Sequence, residues 1–232
     1  MPTLVTASLI AAPLISGGVS RLGVKYVVAP GWHIYWENPG ETGIPTTIDL
    51  TLPEGFTAGP VHYPGPETFM MPGDLTNYGY EGEVVILADL TTPAAPVSLS
   101  GDGAIAAETR WLACRAEQCV PGSAALSLSL ADLPAEDETA EFFHHLPGPL
   151  PDTATQLTDG LTTTITLTGP QAGEVYPDLA LERVLAAHSV TPSSDGLSVV
   201  LTLKETPPVG AAVVIRVEQP TGEAHYRVVL GG

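Results

Sequence analysis

The run Thr162-Thr163-Thr164-Ile165-Thr166-Leu167 settles into strict alternation of polar and apolar side chains. A period of two marks an extended strand with one face on a core, because successive side chains point to opposite sides. Similar strand-length runs follow at Leu179–Ala186, Leu197–Lys204, Ala211–Glu218 and Ala224–Leu230. Residues 159–232 are therefore expected to form a small β-sandwich.

Upstream, apolar runs recur at Thr3–Ile10, Ser20–Val28, Thr46–Leu52, Glu83–Leu90, Ala104–Leu112 and Ala124–Leu130. Turn clusters separate them: Asn38-Pro39-Gly40, Pro53-Glu54-Gly55 and Pro72-Gly73-Asp74, where proline fixes φ and glycine accepts positive φ. This spacing predicts a larger sandwich over residues 1–131. Between the two, residues 132–158 read as a linker. Within it the acidic-then-apolar segment Glu136–Phe143 predicts one short helix, ended by the proline-rich stretch Pro147–Pro151. The expected fold class is all-β, two sandwiches joined by a linker with one short helix.

Composition agrees and excludes several function classes. The 232 residues are 44% apolar and 15% charged, with 24 glycines and 23 prolines punctuating short segments. A formal net charge of -18, from 26 acidic and 8 basic side chains, repels nucleic acid and anionic membrane surfaces. No apolar stretch approaches the roughly 18 residues of a membrane-spanning helix, so direct membrane insertion is not expected. The opening run Leu4–Ile15 has no basic residue before it and contains Pro13. It reads as the first strand of a mature, exported fragment rather than as an intact signal peptide.

Chemistry enters most plainly at Trp111-Leu112-Ala113-Cys114-Arg115-Ala116-Glu117-Gln118-Cys119-Val120-Pro121, which holds both cysteines of the chain. They fall between two strand candidates, at strand ends or in the joining loop, where two Cα atoms can approach the ~4.4–6.8 Å a disulfide requires. An inert staple is the commoner fate of a cysteine pair in an exported protein. Closing so short a ring, however, is worth only about 2 kcal/mol on the chain-entropy model, against nearly 5 for a ring of about 100 residues. A short exposed loop is instead where labile, exchangeable disulfides are found. Two thiolates with Met70-Met71 elsewhere also leave a Cu(I)-handling reading open, whereas a zinc site lacks further ligands. Arg110 and Arg115 would favour a thiolate and Glu117 would oppose it.

Three blocks carry a family resemblance: Gly31-Trp32-His33-Ile34-Tyr35-Trp36-Glu37-Asn38-Pro39-Gly40-Glu41-Thr42-Gly43-Ile44-Pro45, then Asn77-Tyr78-Gly79-Tyr80-Glu81-Gly82-Glu83-Val84-Val85, then Trp111 through Pro121. In this order they resemble the N-terminal periplasmic domain of DsbD, in its ScsB-like branch, strongly over about the first 130 residues. The resemblance implies immunoglobulin-like sandwiches and a periplasmic setting, as the soluble part of a membrane protein. It also implies electron transfer from a membrane-embedded DsbD-type donor domain to periplasmic thioredoxin-like proteins. It assigns Cys119 the mixed disulfide and Cys114 its resolution, with a cap loop at Asp74, Asn77, Tyr78 and Gly79. Thiol–disulfide exchange of this kind needs no cofactor and no metal.

Around the pair, Tyr35 and Trp111 are expected as supporting aromatics, and Tyr78, between Gly73 and Gly79, as an aromatic lid. His33 reads as a satisfied histidine rather than an acid–base group, and His144-His145 as solvated surface. The competing reading is a non-enzymatic immunoglobulin-like binding module with a structural disulfide.

Overall fold

The computed structural model describes residues 3–94, 103–116, 118–169, 172–219 and 222–230. The chain divides into two compact units, residues 1–144 and 145–232.

Among the described residues the first unit contains ten strands: β1 (Val5–Ala11), β2 (Val19–Val28), β3 (Ile34–Gly40), β4 (Thr47–Thr51), β5 (Thr57–His62), β6 (Glu67–Met71), β7 (Leu75–Tyr80), β8 (Glu83–Thr91), β9 (Ala104–Arg115) and β10 (Gln118–Ser129). They form three antiparallel sheets, ordered β1-β2-β8-β5, β10-β9-β4 and β3-β7-β6. Leu22, Leu90 and Ile105 meet Phe56 and Leu130 in a core to which the first two sheets both contribute. In β2 the inward residues Leu22, Val24, Tyr26 and Val28 are buried, and the Tyr26 hydroxyl hydrogen-bonds Thr109 on β9. β10 is an edge strand: among the described residues it pairs with β9 alone.

The predicted short helix is α1 (Ala140–Phe143). It follows Asp137, whose carboxylate accepts from the Thr139 N–H at 2.8 Å, and it lies against β2, with the Arg21 guanidinium 3.8 Å over the Phe143 ring.

In the second unit, β11 (Thr155–Asp159), β12 (Thr162–Thr168), β15 (Gly196–Leu203) and β14 (Leu185–Pro192) make one sheet in that order. A second sheet is ordered β13 (Gly173–Pro177), β16 (Ala212–Gln219) and β17 (Gly222–Val229). The alternation along residues 162–167 is seen directly: Thr163, Ile165 and Leu167 point inward, and Ile165 and Leu167 pack with Leu197, Val199 and Ile215. Burying each such aliphatic side chain stabilises by roughly 1.5–3 kcal/mol.

Three expectations change, the first being that residues 155–158, placed in the linker, belong to β11. Leu179–Ala186 is not a strand; it begins as a helix, α2 (Leu179–Val184), and enters β14 only at Leu185. The Asp178 carboxylate caps it, accepting from the Leu181 N–H at 2.7 Å and from the Ala212 N–H at 2.8 Å, and Leu181 and Val184 are buried at helical spacing. Asn38-Pro39-Gly40, expected as a turn, lies inside β3. The β3–β7 register shifts between Tyr35 and Gly40, and Pro39 falls in that irregular stretch, where its missing N–H leaves no gap in the ladder.

Candidate functional site

The two cysteines close the β9–β10 hairpin. Cys114, near the end of β9, and Cys119, near the start of β10, stand opposite each other with Cα atoms 4.1 Å apart, joined as a disulfide. On its other side Cys114 exchanges both main-chain hydrogen bonds with His33, 2.9 Å in each direction. The N–H and C=O of a strand residue point the same way, so the Cys114–Cys119 pair is a non-hydrogen-bonded pair, the closer kind. The N–H and C=O of Cys119 consequently face outward along the free edge of β10.

Burial separates the two sulfur-bearing residues. Cys114 is 0% exposed, whereas Cys119 is exposed. Directly paired residues share a face, so His33, Cys114 and Cys119 present their side chains in one row across neighbouring strands. His33 is 4% exposed; its ring stacks on Phe69 of β6 at 4.5 Å and meets Tyr35 edge-on at 5.2 Å. Tyr35, expected as a supporting aromatic, touches His33, the strand neighbour of Cys114. Burial pushes the His33 imidazole below its ordinary pKa and the Tyr35 phenol above its own.

Trp111 lies on the opposite face of the hairpin, as alternation along β9 requires. It packs edge-on to Tyr26 at 5.8 Å and sits across from Gly122. With Trp32, Val120 and Pro121 it lines a groove of about 460 Å³. The Arg115 guanidinium covers the Trp32 ring at 4.8 Å and donates to the Gln118 side chain at 3.1 Å, and Arg110 is held by Asp49 and Glu108. Both guanidinium groups expected to steer the thiols are therefore committed elsewhere. Glu117 lies outside the described residues.

The expected cap loop is not a loop. Asp74 is in the turn, at φ 58, and Leu75–Tyr80 is β7, paired with both β6 and β3. Gly79 is no hinge: a Cβ there would stand 2.1 Å from the Ile34 carbonyl oxygen, so glycine permits close strand approach. Asn77, fully buried, accepts from both the main chain and the hydroxyl of Thr42 at 3.0 Å, and Tyr78 packs edge-on to Trp36 at 6.4 Å. Phe69 of this hairpin stacks on His33, the strand neighbour of Cys114. Phe69 and the His33–Cys114 pairing both escaped the sequence reading, and no local signal announces either. Among the described residues no group of three or more His, Cys, Asp or Glu could hold a metal ion.

Residues 3–131, more than half of the chain, match the family described as "Thiol:disulfide interchange protein DsbD, N-terminal". The chain belongs to the DsbD N-terminal family. It is a thiol–disulfide interchange component with one cysteine pair. The crystal structure of the N-terminal periplasmic domain of ScsB from Proteus mirabilis is similar over 98% of this chain and 92% of its own, with 20% identity and a TM-score of 0.63. At that identity the likeness supports the fold. A chimeric titin Z1Z2 and a marsupial T cell receptor each align over 100% of the chain and 99% of their own, at 13% and 11% identity. Their TM-scores of 0.22 and 0.23 carry no argument. The search of curated proteins found no match. Among the described residues no helix is long and apolar enough to cross a membrane.

Proposed function

We propose that this DsbD-family chain relays electrons in the periplasm: a membrane-embedded donor domain reduces the Cys114–Cys119 disulfide, and the resulting dithiol reduces thioredoxin-like proteins. Cys119 makes the mixed disulfide with each partner, and Cys114 resolves it. The observation that carries this reading is the unequal burial of the pair. In-line attack needs access to one sulfur, and the second needs only to reach its neighbour. The β6–β7 hairpin, with Phe69 laid over His33, is the cover on the buried side.

The test is trapping. With Cys114→Ser, Cys119 collects a stable mixed disulfide with a thioredoxin-like partner, and with Cys119→Ser it does not form. Equal trapping by the two variants, or adducts without partner preference, would remove the assignment.

A further inference from the structure

His33 Nε2 is buried and has no hydrogen-bond partner among the described residues. Buried polar atoms are almost always paired, so an orphan beside a reactive group asks for a chemical reason. The ring cannot easily turn away, because Phe69 stacks on one face and Tyr35 meets it edge-on. Its main chain is fixed by the two hydrogen bonds to Cys114, which place both side chains next to each other on one face of the ladder. The ring meets Phe69 from β6 and Tyr35 from β3, and the residue beside it across the ladder is Cys114 of β9. Of these only Tyr35 and the reduced Cys114 titrate.

We propose that His33 accepts the proton of Cys114 when that thiol attacks the mixed disulfide on Cys119. This inference rests on the exchange reading above and adds a residue to it. The need follows from burial: a thiol in apolar surroundings holds its proton more tightly, and Cys114, unlike Cys119, has no bulk water to take it. Burial also keeps the imidazole neutral at pH 7, the form that can accept.

The step balances. The Cys114 S–H bond breaks and its proton passes to His33 Nε2. The Cys114 sulfur then bonds to Cys119 Sγ as the bond from Cys119 to the partner sulfur breaks. The partner leaves as a thiolate carrying the electron pair, and the imidazolium returns its proton to that thiolate or to water. The cysteine pair is oxidised by two electrons, and the partner disulfide is reduced by two.

The experiment uses the full reduced chain and an aryl disulfide, 5,5′-dithiobis(2-nitrobenzoate), whose thiolate release is followed by stopped-flow absorbance. Attack by Cys119 releases one equivalent and resolution by Cys114 a second. From about pH 6 to about pH 9.5, a span that brackets free-thiol ionisation, the wild-type second phase stays nearly flat through neutrality. His33→Phe and His33→Gln leave the first phase within about twofold and slow the second by about 10- to 100-fold at neutral pH. The deficit closes as pH rises, and added imidazole partly restores the rate. A second phase slowed equally at every pH, or unchanged in both variants, overturns the proposal. So does a wild-type second phase that climbs about tenfold per pH unit through neutrality like a free thiol, a result that requires no variant. Absence of any second release from wild-type protein would instead sink the exchange reading itself.

Discussion

Gly122 stands directly opposite Trp111, and the indole occupies the space a side chain there would need: a Cβ on Gly122 would lie 2.3 Å from Trp111 Nε1. The indole is rigid and anchored against Tyr26. Gly122→Ala should therefore displace Trp111 and cost about 1–3 kcal/mol, the usual cost of overpacking. Urea unfolding followed by tryptophan fluorescence reads this, and an unchanged midpoint would contradict the packing described.

Reducing the disulfide should leave the protein folded. The hairpin is already held by a twelve-residue antiparallel pairing and, through Cys114, by the main chain of His33. The ring closed by the bond is short and worth about 2 kcal/mol at most on the chain-entropy model. Denaturation curves with and without reductant should differ by no more than that. Loss of the fold on reduction would favour the structural-staple reading.

Alkylation should discriminate between the cysteines. In reduced protein treated with limiting iodoacetamide, Cys119 should be modified about tenfold or more faster than Cys114, because reactivity follows exposure and thiolate access. Peptide mass spectrometry gives the ratio. Equal modification would mean that the buried side opens freely.

One buried and one half-buried histidine set a pH window. His33 in the first unit and His225 in the second both lie below their ordinary pKa, chiefly through burial. Below about pH 6.5 the unfolded chain binds protons that the native chain refuses, so stability falls as pH drops from neutrality toward the lowered native values. Urea midpoints should decline over that window, and His33→Phe should flatten the decline in the first unit. A decline that His33→Phe leaves unchanged in the first unit would contradict the burial of His33.

Asn77→Ala should loosen the β6–β7 hairpin. The Asn77 side chain spans to Thr42, accepting twice at 3.0 Å and donating to the hydroxyl at 2.7 Å. Thr42 itself is exposed and can turn to water, so the loss should cost about 0.5–1.5 kcal/mol, the net worth of a hydrogen bond. Amide exchange in residues 67–80 should quicken while that of β2 and β8 is unchanged.

Much of this was legible in the sequence wherever a strand had one face in water and the other in a core. Ile165 and Leu167 announce their inward face by alternation, and the flanking strand candidates left the cysteine pair at strand ends or in the joining loop, of which the structure shows the first. Strands β3, β5 and β7 were not legible, because their prolines, glycines and register shifts suppress the periodic signal, and β6 is only five residues long. Leu179–Ala186 misled for a different reason: its apolar residues suit either period, and the Asp178 cap decided for helix. The role of His33 depends on a partner far along the chain, and no local pattern encodes which strand becomes a neighbour. Resemblance supplied Cys114 and Cys119 with roles; the row they form with His33 required coordinates.

Pro121 sits two residues beyond Cys119 on the outer strand β10, opposite Leu112. Like Cys119 it turns its main chain outward, but it has no N–H to offer. An unpaired border of donors and acceptors invites fibril-like stacking of foreign chains, and a proline there breaks the template. The protein can leave a sulfur uncovered at its rim and still resist indiscriminate zippering, so that encounters at this margin are selected by sulfur chemistry rather than by adhesive backbone.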